Sequence, residues 1–249
     1  MISYTIAEWK KMKKPSMFSI GLLFLLISTF VALFTYYYYH NNIVSGTEGK
    51  VLWGQLTLYN SSLLYPPLLA IFVGMSFLPE FERKTLNMLQ ANRVSMYKFV
   101  ASKIITLIGI ILPLQMLYLV IYSIIAAYDG IFSMTDLFIR FRWVLLSIIG
   151  SLPILLIQSY IFARTQSFSK SVTLGAIGGV FTFALMFINE KVNQFYPYAQ
   201  PMVALRSREM SVVSVSDFSM VQIGIFLLVN IGYAVIFYVL CCWSLKHQD

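Results

Sequence analysis

Side chains able to do acid–base, nucleophilic or metal chemistry are few in this sequence, and their spacing works against them. The two histidines, His40 and His247, are separated by several long apolar runs, so they cannot meet in a metal site or a catalytic triad. Cys241 and Cys242 are neighbours at the end of the last apolar run. A reducing compartment on that side makes a disulfide framework unexpected, and acylation beside a membrane is the other chemistry open to them. Glu80, Glu82 and Arg83 form a compact charged group, but the later histidines that an intramembrane hydrolase would need are missing. No Gly-x-x-x-x-Gly-Lys-Ser/Thr run is present to cradle a nucleotide phosphate. The glycines at 175–179 lie inside an apolar run, where Gly175 and Gly179 let helices approach closely. The chain is expected not to be an enzyme and to hold no metal or cofactor of its own.

The elements that would carry these residues follow from composition. Of 249 residues, 59% are hydrophobic and 11% charged, whereas soluble domains carry roughly 45–50% apolar and about 25% charged residues. Too little charge is left to coat a water-facing surface, which excludes a soluble enzyme fold, a coiled coil and a disordered chain. Hydrocarbon admits only helices and closed barrels, and a spanning helix takes about 20 apolar residues. Six runs qualify: 17–38, 56–78, 104–127, 143–163, 172–188 and 221–243. Pro66-Pro67 interrupts the second, and Pro113 and Pro153 lie inside the third and fourth. The alternating ten-residue segments of a membrane barrel are absent. The expected fold is all-α, a single polytopic domain with six transmembrane helices.

The connecting segments fall into two alternating sets. The set that includes both termini holds twelve Lys and Arg against four acids, and the other holds six against six. The positive-inside rule then places both termini in the cytoplasm. Topology accounts for the whole net charge of +8, so no nucleic-acid partner is needed. Tyr36 to Tyr39, Trp143 and Trp243 fall at run ends, where aromatic rings anchor at the interface. Over 1–15, Ile2, Ile6, Trp9 and Met12 lie near one face of a helix, with Glu8, Lys10, Lys11 and Lys14 toward the other. A basic amphipathic helix of this kind lies in the membrane interface, and Pro15 would make the corner into the first span.

The loop 79–103 is the most informative stretch. Pro79 suits a helix start, Glu80 and Glu82 suit its first turn, and Phe81, Thr85, Met88 and Leu89 share a face. Ser95 can cap a helix that runs on into the third span. Such a segment is either a helix offered to a soluble partner or a solvated connector. Glu82-Arg83-Lys84-Thr85-Leu86, Leu89, Arg93-Val94-Ser95 and Lys103 together resemble the loop of ABC-2 type permeases. Those proteins carry a Glu, a Thr-Leu pair, leucines, a Ser-Arg-like turn and a Lys opening the third helix. Tyr196-Pro197-Tyr198-Ala199-Gln200-Pro201 is similar to the Pro-aromatic-x-x-Pro segment before their last helix. Ala91-Asn92 departs from the pattern, since many members have a proline before the Ser-Arg-like turn. Size and loop pattern are most similar to the permeases of lantibiotic self-immunity and bacitracin-type peptide export.

The resemblance implies a permease subunit of a bacterial cytoplasmic membrane, paired with a second permease copy or a paralogous permease. It also implies two ABC ATPase subunits, which would hold the ATP and Mg2+. Glu80, Phe81, Glu82, Arg83, Lys84, Thr85, Leu86 and Leu89 would belong to a coupling helix over 80–90, seated on the ATPase. The outer segment 189–219 would fold partly back toward the membrane, with Pro197, Tyr198, Pro201, Arg206 and Arg208 in its broken stretch. The implied activity is outward movement of an amphipathic, lantibiotic-like peptide, giving self-immunity or resistance. The residues themselves favour an amphipathic or lipid-like cargo already in the bilayer, because the spans hold no buried charge. Tyr59, Tyr65, Phe72, Met75, Met116, Tyr118 and Tyr122 either line its path, face lipid or pack. A lipid or other hydrophobic cargo is the alternative for such a permease. A secondary transporter would usually need ionisable groups at depth, where the strongest polar residues are Gln115, Gln158 and Asn230, suited to hydrogen bonds between helices. A non-transporting sensor or assembly factor is the third class.

Overall fold

The computed structural model describes residues 2–82, 88–89, 91–92, 94–208 and 218–247. Helix α1 (Ile2–Lys11) precedes α2 (Lys14–Tyr38), which has Pro15 in its first turn. Helix α3 (Glu48–Tyr59) passes through a π-turn at Asn60–Leu64 into α4 (Tyr65–Glu82). There follow α5 (Met96–Tyr128), α6 (Met134–Thr165), α7 (Phe168–Ile188), the short α8 (Glu190–Asn193) and α9 (Gln200–Leu205), and α10 (Met220–Lys246). Among the described residues, six helical stretches are long and apolar enough to cross a bilayer: α2, the joined α3–α4, α5, α6, α7 and α10. No strand occurs among the described residues. The protein is an all-α polytopic membrane protein, and the even number of crossings puts α1 and the end of α10 on one face, the terminal face. The turns after α2 and α5 and the segment after α7 lie on the far face.

Several stretches differ from the sequence expectation. The second span runs 35 residues, Glu48 to Glu82, and Pro66-Pro67 does not break it. Pro66 and Pro67 have no N–H to donate to the carbonyls of Ser62 and Leu63, four residues earlier, and an ordinary α-turn would clash there. The wider π-turn absorbs the misfit. Trp143, expected at a helix end, lies well inside α6, because that helix begins at Met134. It is buried and tilted against Trp53 at 6.4 Å, and Trp53 Nε1 donates to the Leu205 carbonyl at 2.9 Å. Tyr36 is buried as well, while Tyr37, Tyr38, Tyr39 and Trp243 stay exposed. Tyr65, Phe72, Tyr118 and Tyr122 are core residues rather than the walls of an open path. Cys241 and Cys242 are both free thiols and both buried, which closes them to acylation.

Lipid tails are as apolar as leucine, so helices here associate through close packing and hydrogen bonds rather than by escaping water. Helix α7 shows how. A Cβ on Gly175 would sit 2.6 Å from the Cβ of Ala70, and one on Gly179 would sit 2.7 Å from the Leu63 carbonyl oxygen. Gly179 thus lies against the same carbonyls that Pro66 and Pro67 leave without α-helical donors. The apolar core has two clusters. One, toward the terminal face, includes Phe72, Phe77, Val100 and Phe162. The other, toward the far face, includes Leu52, Trp53, Tyr122 and Trp143.

Candidate functional site

At the terminal face α1, the end of α4 and the start of α5 meet in four charges. Lys103 is 1% exposed. Its ammonium donates to Glu8 Oε2 at 2.8 Å and to the Ser76 carbonyl at 2.8 Å, and lies 3.5 Å from Glu80 Oε1. Lys11 bridges the same two acids, 3.3 Å from Glu8 Oε1 and 3.4 Å from Glu80 Oε1. The rings of Phe77 and Phe99 lie 5.2 and 4.9 Å from the Lys103 ammonium. A buried charge is tolerated only when paired, and among the described residues two carboxylates here face two ammonium groups. Burial pulls the Lys11 pKa down, but attraction to Glu8 and Glu80 outweighs it and holds that pKa above the ordinary lysine value.

Glu8, on the face of α1 opposite Ile6 and Trp9, turns into the protein rather than toward water, while Ile6 and Trp9 stay exposed. Trp9 lies beside Gly109 of α5 and under the Lys14 ammonium at 4.6 Å. The demand of Lys103 for a counter-charge decides which side of α1 faces inward. Glu8 and Ser76 are the site residues that sequence reasoning missed. One signal for Glu8 was available, since it is the only acid before Glu48 and stands beside four lysines.

The loop that follows α4 is anchored on both sides. Pro79 does not start a helix; it lies in the last turns of α4, which continues to Glu82. Glu80 is held inside by the lysines, Phe81 packs on Phe162 at 5.6 Å, and Glu82 alone of the three is exposed. Arg83, Lys84, Thr85 and Leu86, and with them most of the expected coupling helix, lie outside the described residues. Leu89 packs on the core near the terminal face, and its carbonyl accepts from the Val94 N–H at 2.9 Å, while Met88 is exposed. Ser95 is the N-cap of α5 by backbone conformation, without a side-chain cap bond.

On the far face, the chain after α7 turns back into the bundle. Tyr198, in the turn Pro197–Ala199, packs on Gly178 midway along α7. With the Gln158 amide nitrogen toward the Ser171 carbonyl (3.0 Å), its oxygen accepts from the Tyr198 hydroxyl (3.0 Å) and the Gly175 N–H (3.2 Å). Pro201 is buried in the first turn of α9. There the Gln200 backbone meets Gly150 near the centre of α6, where a Cβ would lie 2.9 Å from the Gln200 carbonyl. The Gln200 amide donates to the Gln194 and Tyr196 carbonyls, both at 3.0 Å, and accepts from Asn230 at 2.8 Å. Irregular backbone at this depth needs such internal partners.

Arg206 ends α9 in the left-handed conformation (φ 50°), is 2% exposed, and lies over the Phe218 ring at 4.6 Å. Its Nη1 donates to Gln222 at 3.4 Å. Arg208 is half-buried at the edge of the described stretch. Arg140, sorted by sequence with the loop charges, is buried inside α6. It pairs with Asp136 at 3.1 Å, donates to the Gly49 carbonyl at 2.9 Å and lies over Tyr122 at 4.1 Å. Among the described residues no three His, Cys, Asp or Glu side chains gather as metal ligands would.

The geometry is therefore a membrane bundle with a charged joint under one loop and a broken segment packed to mid-depth on the opposite face. Residues 6–189 match the family model described as ABC-2 family transporter protein, 184 of the 249 residues. The match takes in Glu8, both sides of the loop and Lys103, and ends where the far-face segment begins. No curated protein matches the chain significantly. The chain belongs to the ABC-2 family of transporter proteins, as a multi-pass membrane subunit.

Proposed function

We propose that this chain is the permease of an exporter that moves an amphipathic, lantibiotic-like peptide out of the cytoplasmic membrane, giving self-immunity or resistance. The terminal face is the cytoplasmic one. Two ATPase subunits, which hold the ATP and Mg2+, seat on the loop over 80–90, and a second permease copy or paralogue completes the complex. The observation that carries this reading is the joint itself. Glu80 on the near side of the loop and Lys103 on the far side are tied to each other and to Glu8 and Lys11 of α1. A push on the loop then displaces α1, α4 and α5 together. Charge-free mid-spans suit a cargo already dissolved in hydrocarbon better than a hydrophilic solute. Such a cargo reaches the bilayer by partitioning, so ATP is needed only to remove it against that gradient.

The test is growth and retention. Deleting the gene and challenging cells with a panel of lantibiotics and bacitracin should raise both sensitivity and cell-bound peptide. Unchanged sensitivity and retention across the panel would sink the peptide reading. A change in leaflet lipid composition instead would transfer it to a lipid cargo.

A further inference from the structure

We propose that a groove between α5 and α6 binds one acyl chain of a membrane lipid, in the half of the bilayer away from the termini. The groove is open along its side and offers about 520 Å³, a volume within the roughly 300–1,000 Å³ typical of ligand pockets. Met116, Leu119 and Val120 form one wall, and Leu137, Phe138 and Phe141 the other. Its one hydroxyl, Ser123, already donates to the Leu119 carbonyl at 2.7 Å, so the groove asks nothing polar of its occupant.

Position decides what that occupant is. At about 1.5 Å per residue, α5 and α6 are each roughly 50 Å long against a hydrocarbon core of about 30 Å. Centred in the bilayer, each would emerge by about 9 Å, or some six residues, at either end. The hydrocarbon boundary on the far face then falls near Tyr122 and Arg140, inside the span of the groove. Met116 lies about 9 Å deeper. The groove therefore starts at headgroup level, runs into the acyl region and opens sideways to the bilayer. Water does not fill so apolar a space, and lipid chains are the molecules that surround it. At the rim Asp136 and Arg140 neutralise one another at 3.1 Å, so binding follows the chain and not the headgroup. The site does not depend on which cargo the permease moves.

The test uses the full chain in nanodiscs containing trace phosphatidylcholine or phosphatidylglycerol with a diazirine near the carboxyl end of one acyl chain, with labelled residues identified by mass spectrometry. Phe138, Val221 and Phe34 are 73%, 71% and 67% exposed and lie within a turn of the same boundary, so simple annular contact would label them alike. Groove occupancy predicts labelling of Phe138 and Val120 about five-fold above Val221 and Phe34, equal for the two headgroups. Val120→Trp should fill the groove and remove that excess, and Ile124→Trp is the second variant should the first fail to insert. Uniform labelling, or an excess undiminished by both variants, overturns the proposal. So does a strong preference for one headgroup. Displacement of the label by an equimolar amphipathic peptide would give the groove to cargo and overturn it too.

Discussion

Lys103 and Glu8 are 95 positions apart in the chain, and Lys103 Nζ and Glu8 Oε2 meet at 2.8 Å inside the protein. Each is nearly dry, so each depends on the other. Lys103→Met removes the buried cation between Glu8 and Glu80 and leaves the half-exposed Lys11 beside them. Removing one partner of a buried pair costs about 3–5 kcal/mol, and the thermal midpoint in detergent should fall accordingly. Adding Glu8→Gln to Lys103→Met should recover part of that loss. A single variant as stable as the parent would show that the joint does not hold α1.

Glu80 and Glu82 differ by one turn-fraction of helix and should behave oppositely. Glu80 is buried among lysines, whereas Glu82 is exposed. Glu82→Lys should leave thermal stability unchanged and weaken association with the ATPase about ten-fold, equivalent to about 1.4 kcal/mol. Glu80→Lys should destabilise the chain itself, whether or not an ATPase is present. Co-purification and melting curves separate the two effects. Full association and transport with Glu82→Lys would remove the loop from the ATPase interface.

Helix packing makes a paired prediction. Gly179→Ala puts a methyl 2.7 Å from the Leu63 carbonyl oxygen. Backbone cannot yield as a side chain can, so α7 must shift, at a cost of about 1–3 kcal/mol. Gly224→Ala meets nothing within 4 Å and should be neutral or stabilising by up to about 1 kcal/mol. Equal effects at the two positions would contradict the close approach of α7 to the π-turn.

Lys11 supplies a pH dependence. Its pKa is raised in the folded protein, so its stabilising effect is complete below the ordinary lysine value, about 10.4. The effect is lost as pH rises through the higher folded value. The stability gap between the parent and Lys11→Gln should therefore be constant from about pH 7 to 9 and close at strongly alkaline pH. Half the Lys11 side chain is exposed, so the gap is small and shrinks further with salt. A gap that persists unchanged above the lysine range would count against the two ion pairs.

Six crossings could be deduced from composition and run length because hydrocarbon penalises an unsatisfied backbone whichever helices are neighbours. The asymmetry of Lys and Arg between the two sets of connecting segments is likewise readable without a fold, as is the family pattern from Glu82 to Lys103. Gly175 and Gly179 stand out because their spacing is local. Periodicity does not show partners, however. It puts Glu8 on the polar face of α1 with Lys10 and Lys11, and only the fold reveals that a lysine seven residues after the start of α5 meets Glu8 within 3 Å. Pro79 has the local chemistry of a helix start and becomes part of α4 because Glu80 and Phe81 beyond it are held by Lys103, Lys11 and Phe162. Trp143 has the chemistry of an interface anchor and becomes core because α6 begins nine residues earlier, bringing its indole against Trp53. Local hydropathy and spacing determine how often the chain crosses the membrane. Which polar groups turn inward is decided by desolvation, a cost set by neighbours that only the tertiary structure brings together.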